Sequence, residues 1–424
     1  MMACIQFVLL FLCSFIFIFK FNPSYAQISN LPVKSLVLLP VTKDPATFQY
    51  LTTIYHGTPQ EPVKLVLDLG CPSLWVDCSS GHVSSSRRPI PSCSIQCSTA
   101  NPSNMSCAFS AARPTCDLSA ENSITGSATR GELVEDILTI RSVDGSKSGP
   151  ATTVDHFLLS CAPKFLLNRL AKGAQGMLGL GKTRIALPSQ LASKFGFQRK
   201  FATCLSSSSD GVVLFGNEAG YDSIFGTEIS RSLVYTPLVT NPDGSGSSQE
   251  YSINVKSIKI NGKRLPLSQE GIGEGTKIST TVPYTTLESS IYSTFIKAYT
   301  EAATNMTIVA PVSPFGLCFS SKENGSTLLG PMVPTVDLVL QSEMVKWRVH
   351  GRNAMVPVSD EVMCLGFLDG GVNSKTSIII GGFQLEDNLL EFNLGTSMLG
   401  FSSSLLNRQT SCSMMLQSIL KDSL

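Results

Sequence analysis

Asp68 closes an apolar run, Val63-Lys64-Leu65-Val66-Leu67, and is followed at once by Leu69-Gly70. A carboxylate at the end of a buried strand and the start of a tight turn is placed for acid–base work, provided a second group completes the chemistry. Gly176-Met177-Leu178-Gly179-Leu180-Gly181-Lys182-Thr183 fits the phosphate-binding formula G-x-x-x-x-G-K-T letter for letter. That loop needs a buried strand before it and an uninterrupted helix after it. Here Arg169-Leu170-Ala171-Lys172-Gly173 precedes it and Pro188 falls five residues after Thr183, so no nucleotide site is expected. No Gly-x-Ser-x-Gly elbow occurs, so the serines lack the strained turn of a hydrolase nucleophile. The four histidines, His56, His82, His156 and His350, are far apart. Six cysteines crowd between Cys71 and Cys116. Zinc is the rival reading of that cluster, but its irregular spacing argues against it, and neither a metal nor a cofactor is expected.

The elements that must position these groups belong to a chain of 424 residues with 15% charged residues, 33 Gly and 23 Pro. That composition excludes coiled coils, long-helix proteins and disordered chains. The formal charge of +1 gives no footing for a nucleic-acid or polybasic membrane partner. Met1 to Phe19 is almost wholly apolar, and Ser24-Tyr25-Ala26 supplies the small residues a signal peptidase reads. Residues 1–26 are therefore expected to be a signal peptide, an uncleaved anchor being the alternative. No later segment is apolar enough to span a bilayer. Loss of the leader removes Lys20, Cys4 and Cys13 and leaves a neutral, secreted product with eleven cysteines. In an oxidising compartment these read as disulfides with one thiol left over. Asn104, Asn305 and Asn324 each begin a glycosylation sequon.

Short β-branched or alternating runs fill the rest: Val63 to Leu67, Gly211 to Phe215, Tyr251 to Ile260, Val336 to Leu340 and Ser377 to Ile380. These read as strands. Helices are expected over Leu187 to Phe195, which opens with Pro188-Ser189, and over Thr285 to Ala303. Thr240 to Ser248 is a polar loop near mid-chain. The halves also repeat. Leu67-Asp68-Leu69-Gly70 is followed, at a distance, by Met177-Leu178-Gly179-Leu180-Gly181. Gly275 to Thr281 is followed, at a similar distance, by Ile378-Ile379-Ile380-Gly381-Gly382. Two lobes built on one plan are expected.

Over residues 35–412 the chain resembles the pepsin-type (A1) aspartic proteases of the plant kind. The matching pieces are Asp68-Leu69-Gly70 with Leu74-Trp75-Val76-Asp77-Cys78, Gly176 to Gly181, Leu187-Pro188-Ser189-Gln190-Leu191 and Tyr235-Thr236-Pro237-Leu238. It is more narrowly similar to a branch holding extracellular dermal glycoprotein, legume basic globulins and TAXI-type xylanase inhibitors. Ser160-Cys161-Ala162-Pro163, Phe201 to Ser207, Pro314 to Phe319 and Gly382 to Asn388 carry that narrower likeness. The resemblance implies a mainly β, bilobal fold with a few short helices, an N-terminal lobe over 27–236 and a C-terminal lobe over 237–424. It also implies that Cys318 bridges Cys364 and that Cys71 is the odd thiol.

An aspartic protease needs two carboxylates about 3 Å apart that share one proton. Asp68 fills the first place, with Leu69 where the family has a supporting Thr or Ser. Ser279 fills the second, and neither Asp nor Glu occurs between Lys277 and Leu287. Gly126 to Gly131 aligns with the tip of the active-site flap, which puts Ser123 at the position of the flap Tyr. The resemblance thus implies a secreted, proteolytically inactive protein of the apoplast or cell wall. Its implied role is to inhibit a cell-wall-degrading glycoside hydrolase of the xylanase or xyloglucan endoglucanase type. Arg408, shortly before Cys412, is the candidate inhibitory contact; the second arginine of some relatives aligns with Leu328. An acid endopeptidase and a storage or peptide-binding globulin are the alternatives.

Overall fold

The computed structural model describes residues 36–79, 83–101, 114–144, 147–207, 210–216, 218–239, 249–267, 272, 275–322, 325–372 and 374–421. The expected signal peptide, the Thr240 to Ser248 loop, His82, Cys107, Asn104 and Asn324 lie outside them.

Apolar runs without alternation form strands covered on both faces. Leu36–Lys43 and Asp210–Gly216 are of this kind and pair antiparallel, Leu38 opposite Leu214. They lie inside a 14-stranded sheet that also contains the long hairpin of Ser127–Asp144 and Lys147–Ala162. Late strands join the same sheet. Leu389–Asn393 pairs with Lys200–Cys204, and the rings of Phe201 and Phe392 stack 4.8 Å apart across that seam. Three smaller sheets of four or five strands and one two-stranded ribbon complete the described β structure. The fold is mainly β, as expected. The division expected at 236/237 falls inside a strand, Val234–Pro237, which pairs with Met398–Phe401.

The duplication is explicit in the strand order. In the first half Glu61–Asp68, Gly176–Gly179, Trp75–Asp77 and Lys147–Ala162 lie side by side, joined in parallel, antiparallel and parallel pairs. In the second half Thr276–Ile278, Ile378–Ile380, Thr285–Leu287 and Phe367–Asp369 repeat that order and those directions.

Helices follow their signals with one shift. Leu187–Phe195 forms as expected, and ends at Gly196, whose φ of +70° is the left-handed conformation a helix stop favours. The second expected helix spans only Ser289–Ala302. Thr285 to Leu287 is drawn instead into the sheet beside Ile378–Ile380, and Glu288 caps the helix by accepting from the Ser290 N–H at 2.9 Å. Ile291, Phe295 and Tyr299 form its buried face. Tyr251 to Ile260 is likewise not one strand but two, Tyr251–Ile253 and Ser257–Ile260, which enter different sheets. No helix among the described residues is long and apolar enough to cross a membrane.

Candidate functional site

Asp68 and Ser279 are the residues at or just beyond the ends of two equivalent strands. Asp68 lies opposite Gly179, and its carbonyl accepts from the Leu180 N–H at 2.9 Å. The Ser279 N–H donates to the Ile380 carbonyl at 3.0 Å. Each turn doubles back against the distant Gly of its partner segment. A Cβ on Gly179 would lie 2.4 Å from the Ser73 carbonyl oxygen, and one on Gly381 would lie 2.3 Å from the Tyr284 carbonyl carbon. Only glycine allows that approach.

The two turns are tied by one hydroxyl. Thr280 Oγ1 donates to the Leu67 carbonyl at 2.8 Å and accepts from the Leu69 N–H at 3.3 Å. Leu69 has no hydroxyl to return the bond. Its side chain is wholly buried in the apolar core instead.

Both oxygens of Asp68 are engaged. Oδ1 accepts from the Gly70 N–H at 2.8 Å, and Oδ2 accepts from Ser123 Oγ at 2.6 Å. Ser123 Oγ is also 3.3 Å from Thr281 Oγ1, which is 3.2 Å from Ser279 Oγ. A hydroxyl has one proton. The Ser123 proton has its shorter contact with Asp68 Oδ2, Thr281 Oγ1 being its alternative acceptor, and either Ser279 or Thr281 donates in the bond between them. Ser279 Oγ in turn accepts from the Thr281 and Val282 N–H groups at 3.3 and 3.2 Å. The result is a chain of hydroxyls, Ser279, Thr281 and Ser123, that ends on a single carboxylate.

Ser123 reaches Asp68 because the hairpin tip differs from expectation. The turn is Ser123 to Gly126, and Gly126 to Gly131 is not the tip: Ser127 already pairs with Asn122 on the return strand. Asn122 sets this register, since its side-chain oxygen accepts from the N–H groups of Ile124 and Thr125 at 2.9 and 3.2 Å. Such Asx closures compete with strand pairing and fix a turn.

Burial pushes the Asp68 carboxyl above its ordinary range. The Ser123 and Gly70 hydrogen bonds and the nearby Lys277 ammonium oppose that rise, while Glu250 adds to it. Glu121 is also raised, by partial burial and then by Asp68 and Glu250. Glu250 pairs with Lys277. Sequence reasoning missed Glu121 and Glu250, for which no spacing gave a signal; Lys277 stood unremarked in the stretch already singled out.

Arg408 ends the short helical turn Leu405–Arg408 and pairs with the exposed Glu228 at 3.0 Å. Cys318 is bonded to Cys364, as expected, and three more disulfides join Cys78 to Cys161, Cys97 to Cys116 and Cys204 to Cys412. Cys71 is a buried thiol directed at the Ser73 carbonyl, 3.1 Å away, and burial pushes it well above the usual thiol range. Asn305 is exposed just beyond the Ser289–Ala302 helix. Lys182 of the phosphate-loop formula donates to the Val239 carbonyl at 3.3 Å and covers the Tyr251 ring, while Thr183 donates to the Pro72 carbonyl.

Comparison with known proteins agrees with this geometry. Residues 50–217 match the family model "Xylanase inhibitor N-terminal" and residues 250–403 match "Xylanase inhibitor C-terminal". The chain is 48% identical over 424 residues to "Probable aspartic proteinase GIP2" of Nicotiana benthamiana, covering 95% of each. It is 41% identical over 415 residues to "Gamma conglutin 1" of Prunus dulcis, again covering 95% of each. Among solved structures, the crystal structure of edgp superposes with a TM-score of 0.81 at 47% identity, covering 90% of this chain and 98% of that one. Conglutin gamma from lupine seeds superposes with a TM-score of 0.80 at 37% identity, covering the same shares of the two chains. With both halves matched, and the strand order doubled about two equivalent turns, the chain belongs to the xylanase-inhibitor-domain family of the pepsin-like fold.

Proposed function

We propose that this protein is secreted, lacks proteolytic activity and inhibits a cell-wall-degrading glycoside hydrolase. The observation that carries the first part of the chemistry is the hydroxyl line from Ser279 to Asp68. A hydroxyl does not ionise near neutrality, so the second turn supplies no partner to share a proton or to polarise a peptide carbonyl. What the scaffold retains is a rigid surface. Glycoside hydrolases hold two carboxylates in a cleft, and a guanidinium entering that cleft makes charge-assisted, forked hydrogen bonds.

Arg408 is suited to that role. Its side chain is 38% exposed and its partner Glu228 is 90% exposed. Release from so exposed a pair costs about 0–1 kcal/mol, well below what two desolvated carboxylates return. The family match supports the reading, as does the apolar leader, which fits delivery to the apoplast with Asn305 open to glycosylation.

The test is residual activity of xylanases, xyloglucanases and polygalacturonases against the purified protein. At least one should be inhibited. Arg408→Ala should weaken inhibition on the order of 30-fold to several thousand-fold, the loss of about 2–5 kcal/mol expected when a buried charge pair loses one side. Full inhibition by that variant would move the contact elsewhere. The printed name "aspartic proteinase" of one relative favours the acid endopeptidase reading. Pepstatin-sensitive cleavage of an unrelated protein at acid pH, abolished in Asp68→Ala, would establish it. The conglutin relatives favour a storage protein, which predicts that every hydrolase in the panel stays active.

A further inference from the structure

A cavity of about 470 Å³ opens between Lys43 and the segment that includes Leu328 and Pro331, and none of the hydroxyls directed at Asp68 lines it. That volume lies within the roughly 300–1,000 Å³ of small-molecule sites. Its floor is the Lys43 ammonium, which donates to Glu386 Oε1 at 2.5 Å. The Phe48 and Phe383 ring centroids lie 5.4 and 5.9 Å from the same nitrogen. The Lys43 side chain is 16% exposed, and Glu386 is its only hydrogen-bond acceptor among the described residues. An ammonium carries three donors, so two remain for a guest. Glu386 is held in place by a second donor, the Tyr50 hydroxyl, at 2.8 Å.

Arg352 stands at the rim. It donates to the Ser207 hydroxyl at 3.2 Å, and among the described residues no carboxylate contacts it. Lys43 and Arg352 thus face the cavity with Glu386 as the one carboxylate in its lining; Asp387 lies one hydrogen bond behind Ser207, and the remaining walls are mostly apolar. Three of those walls are rings set at angles. Phe48 and Tyr284 are 5.9 Å apart and tilted by 54°, and Tyr284 and Phe383 are 5.8 Å apart at 62°. Phe48 is 40% exposed, the behaviour of a ring with one face uncovered. Burial holds the Glu386 carboxyl above its ordinary range, against the Lys43 ammonium and the Lys43 and Tyr50 hydrogen bonds, while Asp387 adds to the rise.

We propose that this cavity binds a small aromatic carboxylate, its anion on Lys43 and Arg352 and its ring against Phe48 and Phe383. The planar guanidinium of Arg352 matches a carboxylate in forked geometry. The tilted rings offer edges and faces to a flat guest. A sugar acid would bring the same charge but place several of its ring hydroxyls against the apolar and aromatic walls, away from the hydroxyl partners that Ser207, Ser321, Ser326 and Thr327 offer.

The experiment is calorimetric titration of the purified full-length protein with 4-hydroxycinnamate, its neutral amide and galacturonate. One saturable site is expected for the acid, with the amide at least about tenfold weaker. Arg352→Gln and Phe48→Ala should each weaken the acid about tenfold, corresponding to about 1.4 kcal/mol. Arg408→Ala should leave its affinity unchanged. Both substituted side chains are exposed, and a thermal midpoint for each variant checks folding. Absence of saturable binding, equal affinity for the amide, tighter binding of galacturonate, or undiminished affinity in both variants would each overturn the proposal.

Discussion

The turns at Asp68 and Ser279 are two copies of one construction, yet they have parted in chemistry. Each follows a strand that pairs in parallel with a distant strand, and each is pressed against a glycine that tolerates no side chain. The first turn keeps a carboxylate and has lost its supporting hydroxyl to Leu69. The second has lost the carboxylate, and keeps three hydroxyls, Ser279, Thr280 and Thr281. Thr280 bonds the opposite backbone, while Thr281 and Ser279 line up behind Ser123, whose hydroxyl donates to Asp68. Backbone demands have been retained in both copies and side-chain demands in neither. The side chains of a site can thus diverge while the folding of the segment that carries them is untouched, because different atoms serve the two ends.

The sharpest test of equivalence is steric. Gly179→Ala and Gly381→Ala each drive a methyl into backbone atoms that cannot withdraw, and each should cost about 3 kcal/mol or more, read as a fall in the urea midpoint. If one is tolerated and the other is not, the two turns are not mechanical equivalents. Next in size is the hydroxyl they share. Thr280→Val leaves the buried Leu67 carbonyl and Leu69 N–H without their partner and should cost about 1–3 kcal/mol. Leu69→Thr, which would restore the mirror-image hydroxyl, should not add stability, since it takes a wholly buried leucine out of the core.

The smallest effect is electrostatic and depends on pH. Because burial raises the folded-state value of Asp68, the folded protein holds that proton more tightly than the unfolded chain does. The resulting stabilisation is complete below the ordinary aspartate range and is lost as pH rises through the folded value. Asp68→Asn removes this dependence. The thermal midpoint of the wild type should therefore fall relative to the variant as pH is raised from the ordinary aspartate range towards neutrality. A difference that grows in the opposite direction would mean that the hydrogen bonds from Ser123 and Gly70, not burial, dominate the carboxylate.

Much of this construction is legible in sequence, because it depends on local pattern. The Leu187–Phe195 helix is bracketed by Pro188 and Gly196, and the two glycine-bearing segments at Gly179 and Gly381 stand out by their apolar neighbours. Where local pattern misleads, a distant segment is the cause. Thr285 to Leu287 has helical spacing, but a neighbouring strand claims it; Tyr251 to Ile260 is one apolar stretch shared between two sheets. The contact of Ser123 with Asp68 joins residues 55 apart and needs a turn at Ser123 to Gly126, not at the Gly126 to Gly131 stretch the glycines suggest. The Lys43–Glu386 pair spans 343 positions. No periodicity records such meetings; only packing brings them about.

Near the chain's end, the Cys204–Cys412 bond spans 208 residues and fastens the segment after Arg408 to a central strand. On the other side Leu405 donates its N–H to the Asp387 carbonyl at 2.8 Å, and the Cys412 N–H reaches the Asp387 side chain at 3.2 Å. Arg408 therefore rides on a short arch with both feet on one residue. Most of the backbone freedom an encounter would remove has already been removed by folding, so the entropic penalty of engagement is confined largely to the guanidinium arm. Reducing that one bond would slacken the arch while leaving the strands beneath it paired, and would turn a pre-set projection into a floppy one.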